Sequence, residues 1–273
     1  MGEWSLVLFT ILMQAAIGSY LWVTIIKTRN QQRQFAVTDI TVAVISTVAI
    51  VISLLHLGTP TGAMRSLLNI GDSWLSREIL FSGGFFGLAI LTVVLARFKV
   101  SGAQELTVRW LTSIVGIFAV LCMSKLYMSS VIPAWMSGTT MIDFFATMII
   151  LGGILTLVTG MQEAEGEAVL ISIVMVAAAV LHAVVYPSFV ADLGAGTAAA
   201  QASVTALAET YGTLMVMRWA LVLVGVGLVV LSQYVKIQRS TYMYVALGAL
   251  LIGQVAGRYI FFAVGVAKGI GMI

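Results

Sequence analysis

HLGTPTGAMRSLLNIGDSWLSRE, residues 56–78, is a polar interruption between two long apolar runs, and it holds His56, Arg65, Asp72, Arg77 and Glu78. Its flanks decide the fold. Residues 38–58 and 78–97 each approach the roughly 20 mainly apolar residues that an α-helix needs to cross the hydrocarbon of a bilayer. Titratable groups at the rim of such a span are costly to hold away from water, so they usually mark chemistry.

Working outward, six further runs of similar character lie near 4–26, 107–129, 142–160, 168–189, 213–234 and 242–265. Composition agrees with them. Hydrophobic residues make up 60% of the sequence and charged residues 9%, and the mean hydropathy of +1.07 lies outside the range of soluble domains. The expectation is an all-α integral membrane protein, a bundle of eight transmembrane helices forming one membrane domain over residues 1–273. The largest gap between spans, about 190–212, is a short Ala-rich stretch and not a soluble domain. Only Met1, Gly2 and Glu3 precede the first run, without a basic segment, so that run is read as a retained span and not as a removable signal.

Lys and Arg set the orientation, because cytoplasmic loops are enriched in them while acids count for little. Lys27, Arg29, Arg33, Arg97, Lys99, Arg109, Lys236 and Arg239 fall on one face, against Arg65, Arg77 and Lys268 on the other. Both termini are therefore expected on the outer, periplasmic side. The acids Glu163, Glu165 and Glu167 lie in a loop of the basic face, against the bias. The pI of 9.1 follows the membrane charge rule and does not indicate nucleic-acid binding.

With this topology, His56, Glu78, Lys125, Asp143, His182, Arg218 and Arg258 all fall in the outer half of the membrane. Such groups face a bundle interior or a watery cavity and pair with one another. A polar pocket open to the outer face is expected, with a dry inner half. Gly83 with Gly87, and Gly253 with Gly257, form small-xxx-small pairs that let helix backbones approach.

A quinol suits that pocket. Its oxidation needs an apolar slot, a hydrogen-bond partner at each oxygen, and groups that take up protons near neutral pH. His56 and Glu78, at adjoining span ends, have this chemistry, and a nearby arginine would hold the negative charge that develops on the quinol oxygen. Gly58 and Pro60 break the helix directly after His56 and free backbone groups that a cavity must satisfy.

SLLHLGTP at 53–60 followed by SWLSREI at 73–79 closely resembles the membrane-anchor subunit of the DMSO reductase family (DmsC), among the broader polysulfide-reductase and nitrite-reductase-type quinone-linked anchors. The opening EWSLVLFT, the IPAW turn at 132–135, YGTLMVMRW at 211–219 and GQVAGRYIFF at 253–262 support it. The resemblance implies an eight-span subunit of a bacterial cytoplasmic (inner) membrane with no haem, iron–sulfur cluster or molybdenum of its own. That subunit oxidises menaquinol to menaquinone and passes electrons to a ferredoxin-like four-cluster iron–sulfur subunit, which feeds a molybdopterin catalytic subunit in anaerobic respiration. Position by position, it assigns the quinol-site histidine to His56, the Leu-Gly after it to Leu57 and Gly58, the acid after the loop to Glu78, and the basic residues of the last two spans to Arg218 and Arg258. Lys125 joins them as a further quinol-binding candidate on its depth alone.

Three positions depart from the family pattern. Gly62 stands where the family has an arginine, and Arg65, about one helical turn further on, is the candidate substitute. Gln254 replaces a glutamate and Gly265 a histidine, which argues against a proton route through the eighth span. Clusters are held mainly by cysteine thiolates, and Cys122 alone cannot bind one, so any cluster belongs to a partner. Cys122 itself reads as a small buried hydrophobe.

Two other classes use the same residue types. A haem-b carrier would take His56 and His182 as axial ligands, and a secondary transporter would place its intramembrane charges along an ion path. A haem absorption band would mark the first, and polar groups reaching both faces with internal repeats the second.

Overall fold

The computed structural model describes residues 2–56, 67–98, 102–235 and 238–267. Among these residues there are nine α-helices. Eight are long and apolar enough to cross a membrane: α1 (Gly2–Arg29), α2 (Ala36–His56), α3 (Trp74–Arg97), α4 (Ala103–Met128), α5 (Gly138–Thr159), α6 (Ala168–Gly194), α8 (Gly212–Leu231) and α9 (Arg239–Ala263). The ninth, α7 (Ala198–Glu209), falls within the Ala-rich stretch, where the sequence shows no span. Thr197 starts α7 by accepting a hydrogen bond from the Ala200 amide, and the helix packs on α6 and α8.

The spans form two four-helix units. α1 to α4 make the first, and α5, α6, α8 and α9 the second. α1 and α5 form the spine between them, with 78% and 72% of their most apolar windows buried against 22–44% for the other spans. Outer spans keep one apolar side free for lipid, while these two are enclosed all round. Trp4 stacks on Tyr259 with ring centroids 5.0 Å apart, so the start of α1 and the last turns of α9 share one end of the bundle, the terminal end.

The spine crosses at Gly18 and Gly152. A Cβ on Gly18 would lie 1.9 Å from the Met148 carbonyl oxygen, and one on Gly152 would lie 2.2 Å from the Gly18 carbonyl carbon. Only glycine permits backbones this close, and the approach lets Ser19 Oγ meet Thr156 Oγ1 at 2.9 Å. Gly83 and Gly87 pack differently from the expectation: nothing among the described residues stands within 4 Å of a Cβ at either.

The end opposite the termini is not dry. Arg109 Nε donates to Glu105 Oε1 at 2.8 Å, its Nη1 donates to Asp39 Oδ1 at 3.0 Å, and Lys27 Nζ lies 2.5 Å from Glu105 Oε1. All four residues are largely withdrawn from solvent. Two cations matched by two carboxylates leave no net formal charge, which makes such burial tolerable. Lys27 and Glu105 fall just outside the expected spans, on helices that run further, while Asp39 and Arg109 lie inside theirs. The acidic loop is explained at the same end: Glu167 pairs with Arg33, and Glu165 Oε1 with Arg239 Nη1 at 3.0 Å.

Candidate functional site

At the terminal end, four spans of the second unit bring charged groups to one point. Ser137 caps α5 by accepting from the Thr139 amide, which places Asp143 in the second turn of that helix. Arg218 Nη2 donates to Asp143 Oδ1 at 3.0 Å from α8, and Arg258 Nη1 stands 3.2 Å from Oδ2 from α9. His182 on α6 completes the group, with Nε2 3.4 Å from Asp143 Oδ1 and Nδ1 3.4 Å from Arg218 Nη2. Arg258 lies over the Phe144 ring at 3.6 Å, and its Nη2 donates to Gln14 Oε1 of α1 at 3.1 Å. Both guanidiniums are at least 96% buried.

Charge accounting gives this cluster its chemistry. Two arginines face one carboxylate, so the group carries a net positive charge in a poorly solvated place, where an electronegative oxygen would be held strongly. Gly257 makes room for it: a Cβ there would lie 2.3 Å from Arg218 Nε. Gly257→Ala is therefore expected to push the guanidinium off Asp143 and to cost about 1–3 kcal/mol, read as a lower thermal unfolding midpoint of the purified protein.

Glu78 sits on the other unit. Ser73 caps α3 by accepting from the Ser76 amide, so Glu78 falls in the second turn, against α4. It is 5% exposed, and its Oε2 has no hydrogen-bond partner among the described residues. Ser82 Oγ, one turn further, is buried and unpartnered there too. Tyr127 of α4 lies within electrostatic reach of both Glu78 and Arg258 and 5.6 Å from the Phe144 ring. Tyr127 also meets Trp135, Phe261 and Phe262, so aromatic rings gather beside the cationic cluster.

The residues singled out from sequence are thus distributed. Arg218 and Arg258 meet, through Asp143. Glu78 stands on the first unit. His56 is the last residue of α2, which packs on α3, while Leu57, Gly58 and Arg65 lie outside the described residues. Lys125 is half-buried in the last turns of α4, with no ion-pair partner among the described residues. Asp143 and His182 were placed at the right depth by sequence but not assigned to the site. Asp143 is the one acid within the four apolar runs of the second unit, and two arginines in those runs require a counter-charge, so the pairing was legible. Tyr127 and Gln14 gave no such signal.

Of the three departures from the family pattern, Gly62 lies outside the described residues, and the other two are seen in contact with their neighbours. A Cβ at Gly265 would lie 2.7 Å from the Trp135 ring, whose Nε1 donates to the Phe261 carbonyl at 2.7 Å and ties the IPAW turn to α9. Gln254 Oε1 accepts from Thr147 Oγ1 at 3.0 Å. Both ring nitrogens of His182 stand 3.4 Å from side-chain partners, Nε2 from Asp143 and Nδ1 from Arg218. Among the described residues no three His, Cys, Asp or Glu side chains group as they would to hold a metal ion. Cys122 is buried.

Comparison with known proteins gives concordant results. The sequence model of the family described as DMSO reductase anchor subunit (DmsC) matches residues 1–264. The C subunit of the anaerobic dimethyl sulfoxide reductase of Escherichia coli (strain K12) is 29% identical over 282 residues, covering 99% of this protein and 97% of that one. The anaerobic dimethyl sulfoxide reductase subunit YnfH of the same organism is 28% identical over 286 residues, with the same coverage. The corresponding C subunit of Haemophilus influenzae is 31% identical over 159 residues, 56% of each protein.

Proposed function

Because the chain belongs to the family of DMSO reductase anchor subunits (DmsC), and is thus a multi-pass inner-membrane anchor of a reductase complex of that type, we propose that it is also the subunit that oxidises the quinol. The observation that carries this reading is Glu78: a buried carboxyl with an oxygen that has no partner among the described residues, on the helix that packs against the one ending in His56. A carboxyl placed this way is costly unless a partner arrives. A hydroquinone hydroxyl is such a partner.

Menaquinol binds with its ring at the rim of α2 and α3, beside His56, Leu57, Gly58 and Arg65. His56 and Glu78 take the two protons as general bases. Lys125, Arg218 and Arg258 supply positive charge on the far side, which favours the anionic form through which the quinol loses its electrons. The electrons pass to an iron–sulfur subunit of the four-cluster ferredoxin-like kind and from it to a molybdopterin catalytic subunit. Both termini face the periplasm, and the iron–sulfur subunit docks on that end, over the loops holding residues 59–77, 130–141 and 190–212. α7 gives the last of these a firm surface.

His56→Ala is expected to abolish oxidation of a short-tailed menaquinol analogue by the assembled complex, and Glu78→Gln to slow it about 100-fold or more. Acceptor reduction from an artificial donor that feeds the catalytic subunit directly is expected to stay unchanged in both. Normal quinol turnover in His56→Ala would remove that residue from the role.

A further inference from the structure

Two cavities at the terminal end meet at one residue. The deep one, about 50 Å³, is walled by Ala134, Asp143, His182, Tyr186 and Arg218. The other, about 300 Å³, lies nearer the surface, between Ser137, Asp192 and Thr197. Phe189 belongs to both walls. His182, Tyr186 and Phe189 follow one another at spacings of four and three on α6, so one face of that helix leads outward from the buried cluster. Asp192, one turn beyond Phe189, is exposed.

The deep cavity has one polar corner. It is large enough for one or two waters, and among walls that are otherwise mostly apolar stand a carboxylate, an imidazole and a guanidinium. Arg218, 4% exposed, keeps its Nε without a partner among the described residues. Apolar voids of this size stay dry, while a buried charge with unused hydrogen-bonding capacity draws water in.

We propose that the two cavities form a hydrated proton route, with His182 and Asp143 at its buried end, Phe189 as its neck and Asp192 at its mouth. The source of the protons rests on the quinol reading above. Each quinol oxidised gives two electrons, which leave through the iron–sulfur partner, and two protons, which must reach bulk water. The only bonds that change along the route are O–H and N–H bonds. His182 is oriented for this exchange. A guanidinium has donors only, so Nδ1 accepts from Arg218, and Nε2, 3.4 Å from Asp143 Oδ1, carries the hydrogen. Arg218 Nη2 approaches Asp143 at 3.0 Å and Nδ1 at only 3.4 Å. The second contact is the weaker, and a water can replace it. The charged and titratable groups around the ring are Asp143 from α5, Arg218 from α8, Arg258 from α9 through the shared carboxylate, and Tyr186 on α6 itself.

The test uses the whole complex in vesicles, with Cys122→Ala to remove the native thiol. Ala134→Cys puts a thiol in the buried wall of the deep cavity, and Ala195→Cys serves as an exposed control. A small, charged methanethiosulfonate reagent is expected to label Ala134→Cys at a measurable rate. Phe189→Trp is expected to lower that rate about tenfold and Phe189→Ala to raise it, with the control unchanged. In the complex without added thiols, Phe189→Trp is expected to slow quinol oxidation several-fold and to raise its solvent deuterium isotope effect. Labelling indifferent to residue 189, or wild-type turnover and isotope effect in Phe189→Trp, would overturn the route. A wild-type complex that oxidised no quinol would instead overturn the quinol reading, and with it the assignment of the protons, while the labelling pattern would still decide whether the passage exists.

Discussion

Asp143→Asn is expected to cost about 3–5 kcal/mol of stability and to leave little folded protein in the membrane. The substitution preserves the shape of the residue and removes its charge. Arg218 and Arg258, both almost fully buried, would then face each other across a neutral amide with no carboxylate within reach. Breaking a buried pair in this way costs more than the pair itself is worth, because the remaining charges are left without their counter-ion in a largely enclosed place. The measurement is the thermal unfolding midpoint of the detergent-solubilised complex, with the amount of subunit retained in membranes as a second reading. Adding Arg218→Met to Asp143→Asn is expected to recover part of the loss, since only one cation then lacks a partner. A stable Asp143→Asn protein would mean that the two guanidiniums are already compensated by something other than this carboxylate.

Gly152→Val is expected to be comparably damaging, through packing alone. Its Cβ would fall among the backbone atoms of Gly18 and Ser19, the nearest at 2.2 Å, and backbone cannot swing aside as a side-chain end can. α1 and α5 would have to separate, breaking the Ser19 to Thr156 hydrogen bond and opening the seam between the two units. Overpacking of this kind costs about 1–3 kcal/mol where neighbouring groups give way, and more where they cannot. Proteolysis of the solubilised subunit is expected to begin between the two units. Gly83→Ala and Gly87→Ala, in open space, are expected to leave the protein unchanged and so serve as controls.

How much of this was legible in the sequence follows from what each feature depends on. The eight spans depend on bilayer thickness, which fixes how many apolar residues must run together, and each expected span lies within a few residues of a helix. α7 escaped because an Ala-rich segment carries no apolar period. Its helix rests on Thr197 as a cap and on contacts with α6 and α8. The spine crossing escaped for a different reason. Gly18 has Gln14 and Trp22 four residues away and makes no small-xxx-small pair, and Gly152 is matched only by Thr156, whereas Gly83 and Gly87 match the glycine pattern and pack against nothing described. Arg218 and Arg258 were found because an arginine inside a span needs an explanation. The cluster of Lys27, Asp39, Glu105 and Arg109 was missed because Lys27 and Glu105 fall just outside the apolar runs, and the pairing of Asp39 with Arg109 depends on which helices are neighbours. Where Glu78 stands relative to the arginines depends on which helices neighbour each other, and no local pattern encodes that.

The two buried ion groups also differ in when they can be completed as the polypeptide is made. Lys27, Asp39, Glu105 and Arg109 all lie before residue 110, so the first unit can neutralise its charges as soon as its fourth span has left the ribosome. Asp143 emerges next, Arg218 follows only 75 residues later, and Arg258 comes on the last span. Until Arg218 arrives the carboxylate has neither of these counter-ions, and the second unit cannot seal before α9 has emerged. The early half therefore serves as a finished template, and the later half closes on it last, around the residue that waited longest.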